Sequence, residues 1–467
     1  MAKVLTLSPE SKTLKIAQKL YEADELDEAF KHCQNILAED PEDAQALTLV
    51  AAILKRGEKT PIAYIVAEKA VRLRPDRSEP WVTLGHCAQH MWMLEKAREC
   101  YENALAKALN DRQKCTYLNN IGSICLDSGD FKQAEKWCRD ALEIHDDPLA
   151  KHNLGLSLLG QQKWREGWQC YTASVGTFNR LNIKYNKENA EPTWDGTKGQ
   201  KVIVFGEQGI GDELSFASMI PDMAKDCDVI LDCDARLAGL FTRSFPNVKV
   251  YGTRFKKDLA WAEEDRTFDA SISIGEIGKF YRNEPGDFPG TAYLKACPER
   301  SMGWRAVFDS KQKPCIGIAW SGGTWVNGAK NRFIPLKDWA PIFESVDAHW
   351  VSLQYKDASR EIEGSQVVQY PYATLTKDYD DTAALVSQLD LVICMQTSVG
   401  HLAGALGTDA WVMVPKNSQW RYGEARESIP WYNSLRIFKS DGTWAPVIDK
   451  IASELHARFS RDDAVNQ

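Results

Sequence analysis

Gly206-Glu207-Gln208-Gly209-Ile210-Gly211-Asp212-Glu213 follows a short apolar, β-branched run, Val202 to Phe205, and precedes an apolar stretch from Leu214 to Ala224. Strand, glycine-rich turn and helix in that order decide the class of the second half of the chain. Further apolar runs of strand length stand at Val229 to Leu231, Val248 to Tyr251, Ala270 to Ile274, Cys315 to Trp320, Trp350 to Gln354, Leu391 to Cys394 and Ala410 to Val414. Buried strands this short, alternating with helices and loops, predict parallel α/β sheets. They fall into two groups parted near residues 295–312, which predicts two α/β lobes facing across a cleft. Ligands of such sheets sit outside the carboxyl ends of the strands.

The glycine turn lies at such an end. Its glycines let backbone approach a ligand, and the following helix N-terminus favours a negative group. The order Gly-x-x-Gly-x-Gly differs from the dinucleotide fingerprint Gly-x-Gly-x-x-Gly, which disfavours NAD. Glu207, Gln208, Gly209, Gly211, Asp212 and Glu213 are cleft candidates, although for the turn taken alone a helix-capping Asp212 is the default reading. A second loop, Trp320-Ser321-Gly322-Gly323 followed by Lys330-Asn331-Arg332, puts two cations behind a flexible turn and suits a diphosphate. The third is Gln396-Thr397-Ser398-Val399-Gly400-His401, where a strand ends and hydroxyl residues begin a helix. Backbone amides there can hold phosphate oxygens. His401 reads as a ligand contact or as a packed histidine. Gln354 and Tyr355, at the end of another strand, and Trp420 and Arg421 complete the cleft candidates.

Working back toward the N-terminus, the chain repeats itself. Ala29, Ala63, Ala97 and Ala134 each follow a short polar turn and begin an amphipathic helix, at steps of 34, 34 and 37 residues. The third unit shows the pattern best: Trp81, Leu84 and Gly85 on one helix, Ala97, Tyr101 and Ala104 on the next. Leu118, Gly122, Ala134 and Ala141 repeat it, and Leu154, Gly155, Gly167 and Tyr171 repeat it more loosely. Small residues belong where two helices of a hairpin cross closely, and stacking is obligatory because no single hairpin buries its own apolar face. This period is similar to that of tetratricopeptide repeats. The expected division is a helical array over 1–178, a linker or docking segment over 179–200 closing with Pro192-Thr193-Trp194-Asp195-Gly196, a first lobe over 201–300 and a second over 301–467.

Bulk properties bound the function. A chain of 467 residues exceeds one core. A net charge of −8 argues against broad nucleic-acid binding. Twelve scattered cysteines, with no Cys-x-x-Cys pair and no signal-peptide pattern, predict reduced thiols and a cytoplasmic setting. His86 and His90, four apart, share a helix face with Cys87 beside them, but no third and fourth ligand accompany them, and no metal site is expected.

In combination the three loops resemble the heptosyltransferase-like family (glycosyltransferase family nine), especially its branch with N-terminal tetratricopeptide repeats. The segments carrying the likeness are Glu207 to Asp212, Ile318 to Gly322 and Thr397 to Gly407. Pro192 to Gly196, Asp381-Thr382-Ala383, Trp420-Arg421 and Pro430-Trp431-Tyr432 also look like that branch. The resemblance implies a GT-B fold of two Rossmann-like lobes. It implies inverting transfer from a nucleotide-diphosphate sugar to a hydroxyl acceptor, with no cofactor and no metal. Asp212 takes the position of the proposed base, Lys330, Arg332 and the Thr397 to His401 turn hold the donor, and the first lobe meets the acceptor. Gln396 departs from the aspartate usual in related heptosyltransferases, which puts heptose in doubt as the donor. The array is expected to bind a protein partner or to self-associate, and two other readings accompany this one: a degenerate transferase acting as a tetratricopeptide binding scaffold, and a peptide O-GlcNAc transferase-like enzyme.

Overall fold

A computed structural model describes residues 12–171, 192–256, 259–264, 267–323, 328–424 and 427–465, without the side chains of 263–264, 329–330 and 461–465. The chain divides into two compact units, Met1–Ala150 and Lys151–Gln467. The fifth hairpin, placed by its repeat pattern with the array, thus belongs almost wholly to the second unit.

The first unit is a row of helical hairpins: α1 (Lys12–Glu22) with α2 (Leu26–Glu39), α3 (Ala44–Arg56) with α4 (Thr60–Leu73), α5 (Ser78–His90) with α6 (Leu94–Leu105), and α7 (Asp111–Asp127) with α8 (Phe131–Ile144). Ala29, Ala63, Ala97 and Ala134 lie on the second helices and are fully buried. Their smallness matters at the crossing, as Gly85 illustrates: a Cβ there would come within 2.6 Å of the Tyr101 ring. Each hairpin turns through one residue with positive φ, at Asp24, Glu58, Trp92 and Gly129, and Gln162 does the same in the fifth. A left-handed residue closes a helix within one turn of chain, and glycine fills the position only once. His86 is half-buried, edge-on to Tyr101, and its desolvation pushes the imidazole down to about 4. His90 is bonded through Nδ1 to the Thr60 hydroxyl at 3.0 Å.

The second unit opens with α9 (Pro148–Gly160), which begins just before the division, and α10 (Trp164–Cys170). Two sheets follow. The first has four strands in the order β3-β2-β1-β4: β1 (Lys201–Phe205), β2 (Asp228–Asp232), β3 (Lys249–Tyr251) and β4 (Ala270–Ser273). The second has six in the order β10-β9-β8-β5-β6-β7: β5 (Cys315–Ala319), β6 (His349–Ser352), β7 (Val367–Gln369), β8 (Leu391–Met395), β9 (Ala410–Val414) and β10 (Leu435–Lys439). Every pairing is parallel. Continuous apolar runs such as Val202 to Val204 and Leu391 to Met395 are buried along their length, as strands covered on both faces require.

Of the expected linker 179–200, the part before Pro192 lies outside the described residues. The rest docks. Thr193 bridges Ser271 in parallel, extending the sheet at β4, and Trp194 is buried against Phe280 and Tyr281. The helix expected over Leu214 to Ala224 starts earlier, as α11 (Ile210–Phe216), and runs on through a 3-10 turn (Ala217–Met219) into a second helical segment, Ile220–Asp226, with Pro221 in its first turn. No helix among the described residues is long and apolar enough to cross a membrane.

Strand order locates the crevices. In the first sheet the chain leaves β1 toward β2 and β3 and returns on the other side at β4. In the second it leaves β5 toward β6 and β7 and returns at β8. These reversals are switch points, where loops diverge and leave a crevice. The glycine turn follows β1, the Ser321 loop follows β5, and Gln396 to Ser398 follow β8.

Candidate functional site

The glycine turn is built around charge taken out of water. Gln208 has φ +57, an uncommon conformation for a residue with a side chain, and its carbonyl accepts from the buried Arg254 guanidinium. Arg254 also pairs with the buried Glu213, whose other oxygen accepts the Asp234 amide at 2.9 Å. Glu213 is thus a strut beneath the turn. Asp232 and Asp234, whose letters match a metal-binding Asp-x-Asp, spend their oxygens on Thr253 and Arg236.

Glu207 is fully buried. One oxygen accepts from the Tyr171 hydroxyl and the Gly275 amide, each at 2.9 Å, and the other has no partner. Burial, with Glu276 and Asp212 nearby, pushes its carboxyl up to about 8 from an ordinary 4.5. Between those values the unfolded chain has released a proton that the folded chain keeps. Stability therefore falls as pH rises from about 4.5 to about 8 and levels off above. Glu207→Gln removes that slope: its melting temperature, scanned from acid to mildly alkaline buffer, gains on the wild type as pH rises. Parallel curves would show that Glu207 is ionised in the fold.

Asp212 sits on the first turn of α11. One oxygen accepts the Gly209 amide at 3.0 Å, the capping role anticipated, and the other pairs with Arg421 at 2.7 Å. Arg421 reaches it from beyond β9, donates to the Ser215 hydroxyl at 3.0 Å, and lies between the rings of Phe216 and Trp420. Two lone-pair sites of Asp212 are used, and its side chain stays 24% exposed.

Helix α12 (Ser398–Leu406) packs directly on α11. A Cβ on Gly211 would touch the Cα of Ser398 and the ring of His401 at 3.4 Å, so the glycine brings the first and third loops together. Gly322 likewise lies under Thr397, where a Cβ would collide with the threonine methyl. Arg332 is buried close enough to Asp212, Tyr422 and Tyr355 to feel their charges, while burial lowers its pKa. All three loops thus meet.

Other expectations separate. The Lys330 backbone lies in a short turn, and its side chain is outside the described residues. His401 resolves as a packed histidine: burial pushes it down to about 3, and Nδ1 faces the Tyr432 hydroxyl at 3.3 Å. Trp320 is fully buried with its indole nitrogen on Glu361, so its ring belongs to the core of the second sheet. Trp420 packs edge-on to Trp168 and Trp431, which leaves it no open face for a sugar. Ser398 accepts from the Tyr379 hydroxyl at 3.2 Å. Buried Gln396 keeps an amide oxygen without a partner. At the ends of β5 and β6, Ser321, Gly322, Gln354 and Tyr355 line a cavity of about 350 Å³ with Phe333 and Glu361, within the range of small-molecule sites. The Gln354 amide is tied to Ser321 at 2.6 Å.

Tyr171, Arg254, Phe333 and Glu361 were missed from sequence. Arg254 and Glu361 lie apart from the three loops in segments with no motif of their own, Tyr171 reads only as a repeat residue of the fifth hairpin, and Phe333 directly follows Arg332 as an unmarked apolar residue.

Among known proteins, the tetratricopeptide repeat family model matches residues 76–147. Protein FlbA of Caulobacter vibrioides is 27% identical over 440 residues, spanning 89% of this chain and 73% of FlbA. Mouse (Mus musculus) protein O-mannosyl-transferase TMTC1 is 30% identical over 157 residues, which is 32% of this chain but only 16% of TMTC1. The solved structure of PilF from Pseudomonas aeruginosa, 15% identical with a TM-score of 0.32, aligns over 34% of this chain and 71% of its own. The N-terminal hairpins are tetratricopeptide repeats, and the likeness to FlbA is long enough to take in both the repeats and the α/β unit behind them.

Proposed function

We propose that the second unit is an inverting glycosyltransferase of GT-B type that moves a sugar from a nucleotide-diphosphate donor to a hydroxyl acceptor without a metal. The observation carrying this reading is the meeting of Asp212, Arg332 and the first turn of α12 between two parallel sheets, each contributing from a switch point. An acceptor hydroxyl attacking the anomeric carbon must lose its proton, and Asp212 retains lone pairs for it. The departing diphosphate needs positive potential, which Arg332 and the unpaired amides at the start of α12 supply, with Lys330 as a further cation. Gln396 offers its free amide oxygen to a sugar hydroxyl. The cavity bordered by Tyr355 and Phe333 receives the nucleoside. One relative is, by name, an O-mannosyl-transferase, which agrees in class.

Calorimetric titration with a panel of nucleoside diphosphates and nucleotide sugars tests this. One base is expected to bind, and Arg332→Ala to weaken it at least about tenfold, the value of a charge-assisted hydrogen bond. A second reading, a degenerate transferase whose repeats recruit a protein partner, is favoured by Gln396 and by the engagement of Asp212 with Arg421. Silence across the panel would establish that reading instead. Transfer onto a peptide would favour the O-GlcNAc transferase-like alternative.

A further inference from the structure

Tyr171 occupies the repeat position that Tyr101 holds in the third hairpin, four residues after the small residue in the first turn of each second helix (Gly167 and Ala97). The Tyr101 hydroxyl stays within its own hairpin, donating to Gln89 at 3.0 Å. The Tyr171 hydroxyl leaves its hairpin. It donates to Glu207 and accepts from the Gln208 amide nitrogen, both at 2.9 Å. The chain makes this possible by ending α10 at Cys170, so that the backbone is already extended at Tyr171. The ring is seated among His152, Trp168 and Phe216, and glycine at 275 leaves room for it: a Cβ there would lie 2.8 Å from the hydroxyl. The two residues it holds are those between the first two glycines of the turn, and one of them has the left-handed backbone noted above. Arg254 secures the Gln208 carbonyl from one side. Tyr171 secures the two side chains from the other.

We propose that Tyr171 is a positioning residue for the glycine turn, so that the fifth hairpin is part of the transfer apparatus rather than of a partner-binding array. Its hydroxyl acts through Glu207 and Gln208 on the geometry from Gly209 to Asp212. The effect on turnover rests on the transferase reading; the effect on loop geometry does not.

The test uses the full chain with Tyr171→Phe, beside Tyr101→Phe as a control whose hydroxyl serves only its own hairpin. Hydrogen–deuterium exchange of amides 206–212, nucleotide affinity and sugar-transfer kinetics are measured on both. Tyr171→Phe is expected to speed exchange in that segment and lower kcat, each about tenfold, the scale of one to two hydrogen bonds. Donor KM and nucleotide affinity should stay within about twofold, because the donor groups lie on the second sheet. Unchanged loop exchange in Tyr171→Phe overturns the proposal, as does an equal acceleration in Tyr101→Phe, which would mark general loosening. If the wild type transfers no sugar from any donor, the transferase reading fails alone, and the exchange comparison still decides whether Tyr171 positions the turn.

Discussion

Asp212→Asn is expected to lower sugar transfer about a thousandfold, within the range that a positioned general base contributes. Asparagine fills the same space and keeps one oxygen for either the Gly209 amide or Arg421, so the loop loses one hydrogen bond rather than its shape. It cannot take the acceptor proton. Donor binding, which rests on Arg332 and α12, should remain within about threefold. Transfer that persists within about threefold of wild type would make the pair with Arg421 the whole role of Asp212 and remove it as the base. Measuring kcat and donor affinity on the same preparation separates these outcomes.

Arg421→Ala should cost both stability and turnover. The guanidinium is 3% exposed, pairs with Asp212, bonds Ser215 and lies on two aromatic rings. Asp212 and Ser215 belong to the helix after β1, whereas Arg421 follows β9, so the group ties one sheet to the other. Deleting one partner of a buried pair costs about 3–5 kcal/mol; the partial exposure of Asp212 places this case near about 3 kcal/mol. Urea unfolding monitored by tryptophan fluorescence measures it, and a loss below about 1 kcal/mol would show that the sheets do not depend on this tie. Turnover should fall at least about a hundredfold, since Asp212 loses its orientation. In the Asp212→Asn background the same deletion should reduce kcat little further, because both changes act through one carboxylate. Arg421→Lys is expected to restore little, since an ammonium cannot bond Asp212 and Ser215 from one planar fork.

Several elements were legible from local pattern. The run Ala410 to Val414 coincides with β9, and those at Val202, Val229 and Ala270 fall within a residue or two of β1, β2 and β4. Two strands were not seen. β7 has three residues and exposes Val368, and β10 mixes Arg436 and Lys439 into its apolar run, so neither reads as a continuous buried segment. The hairpin turns were also hidden. Asp24, Glu58 and Trp92 adopt the left-handed conformation that glycine normally announces, because the packed helices on either side leave the chain no other path.

By itself the sequence determined what depends on neighbours along the chain. The recurring small residue every 34 or so positions dictates stacked hairpins, since only a small side chain admits the facing helix. A β-branched run followed by glycines dictates strand, turn and helix, since these conformations are selected within a few residues. Only the tertiary structure decided which charges face one another. Arg421 and Asp212 are over two hundred residues apart, and Tyr171 reaches Glu207 from a hairpin whose repeat pattern placed it with another unit. Parallel strands must be joined by crossovers, so the residues at adjacent strand ends come from distant parts of the chain. Their pairing follows from strand order and from the packing of α11 on α12, and neither leaves a local mark.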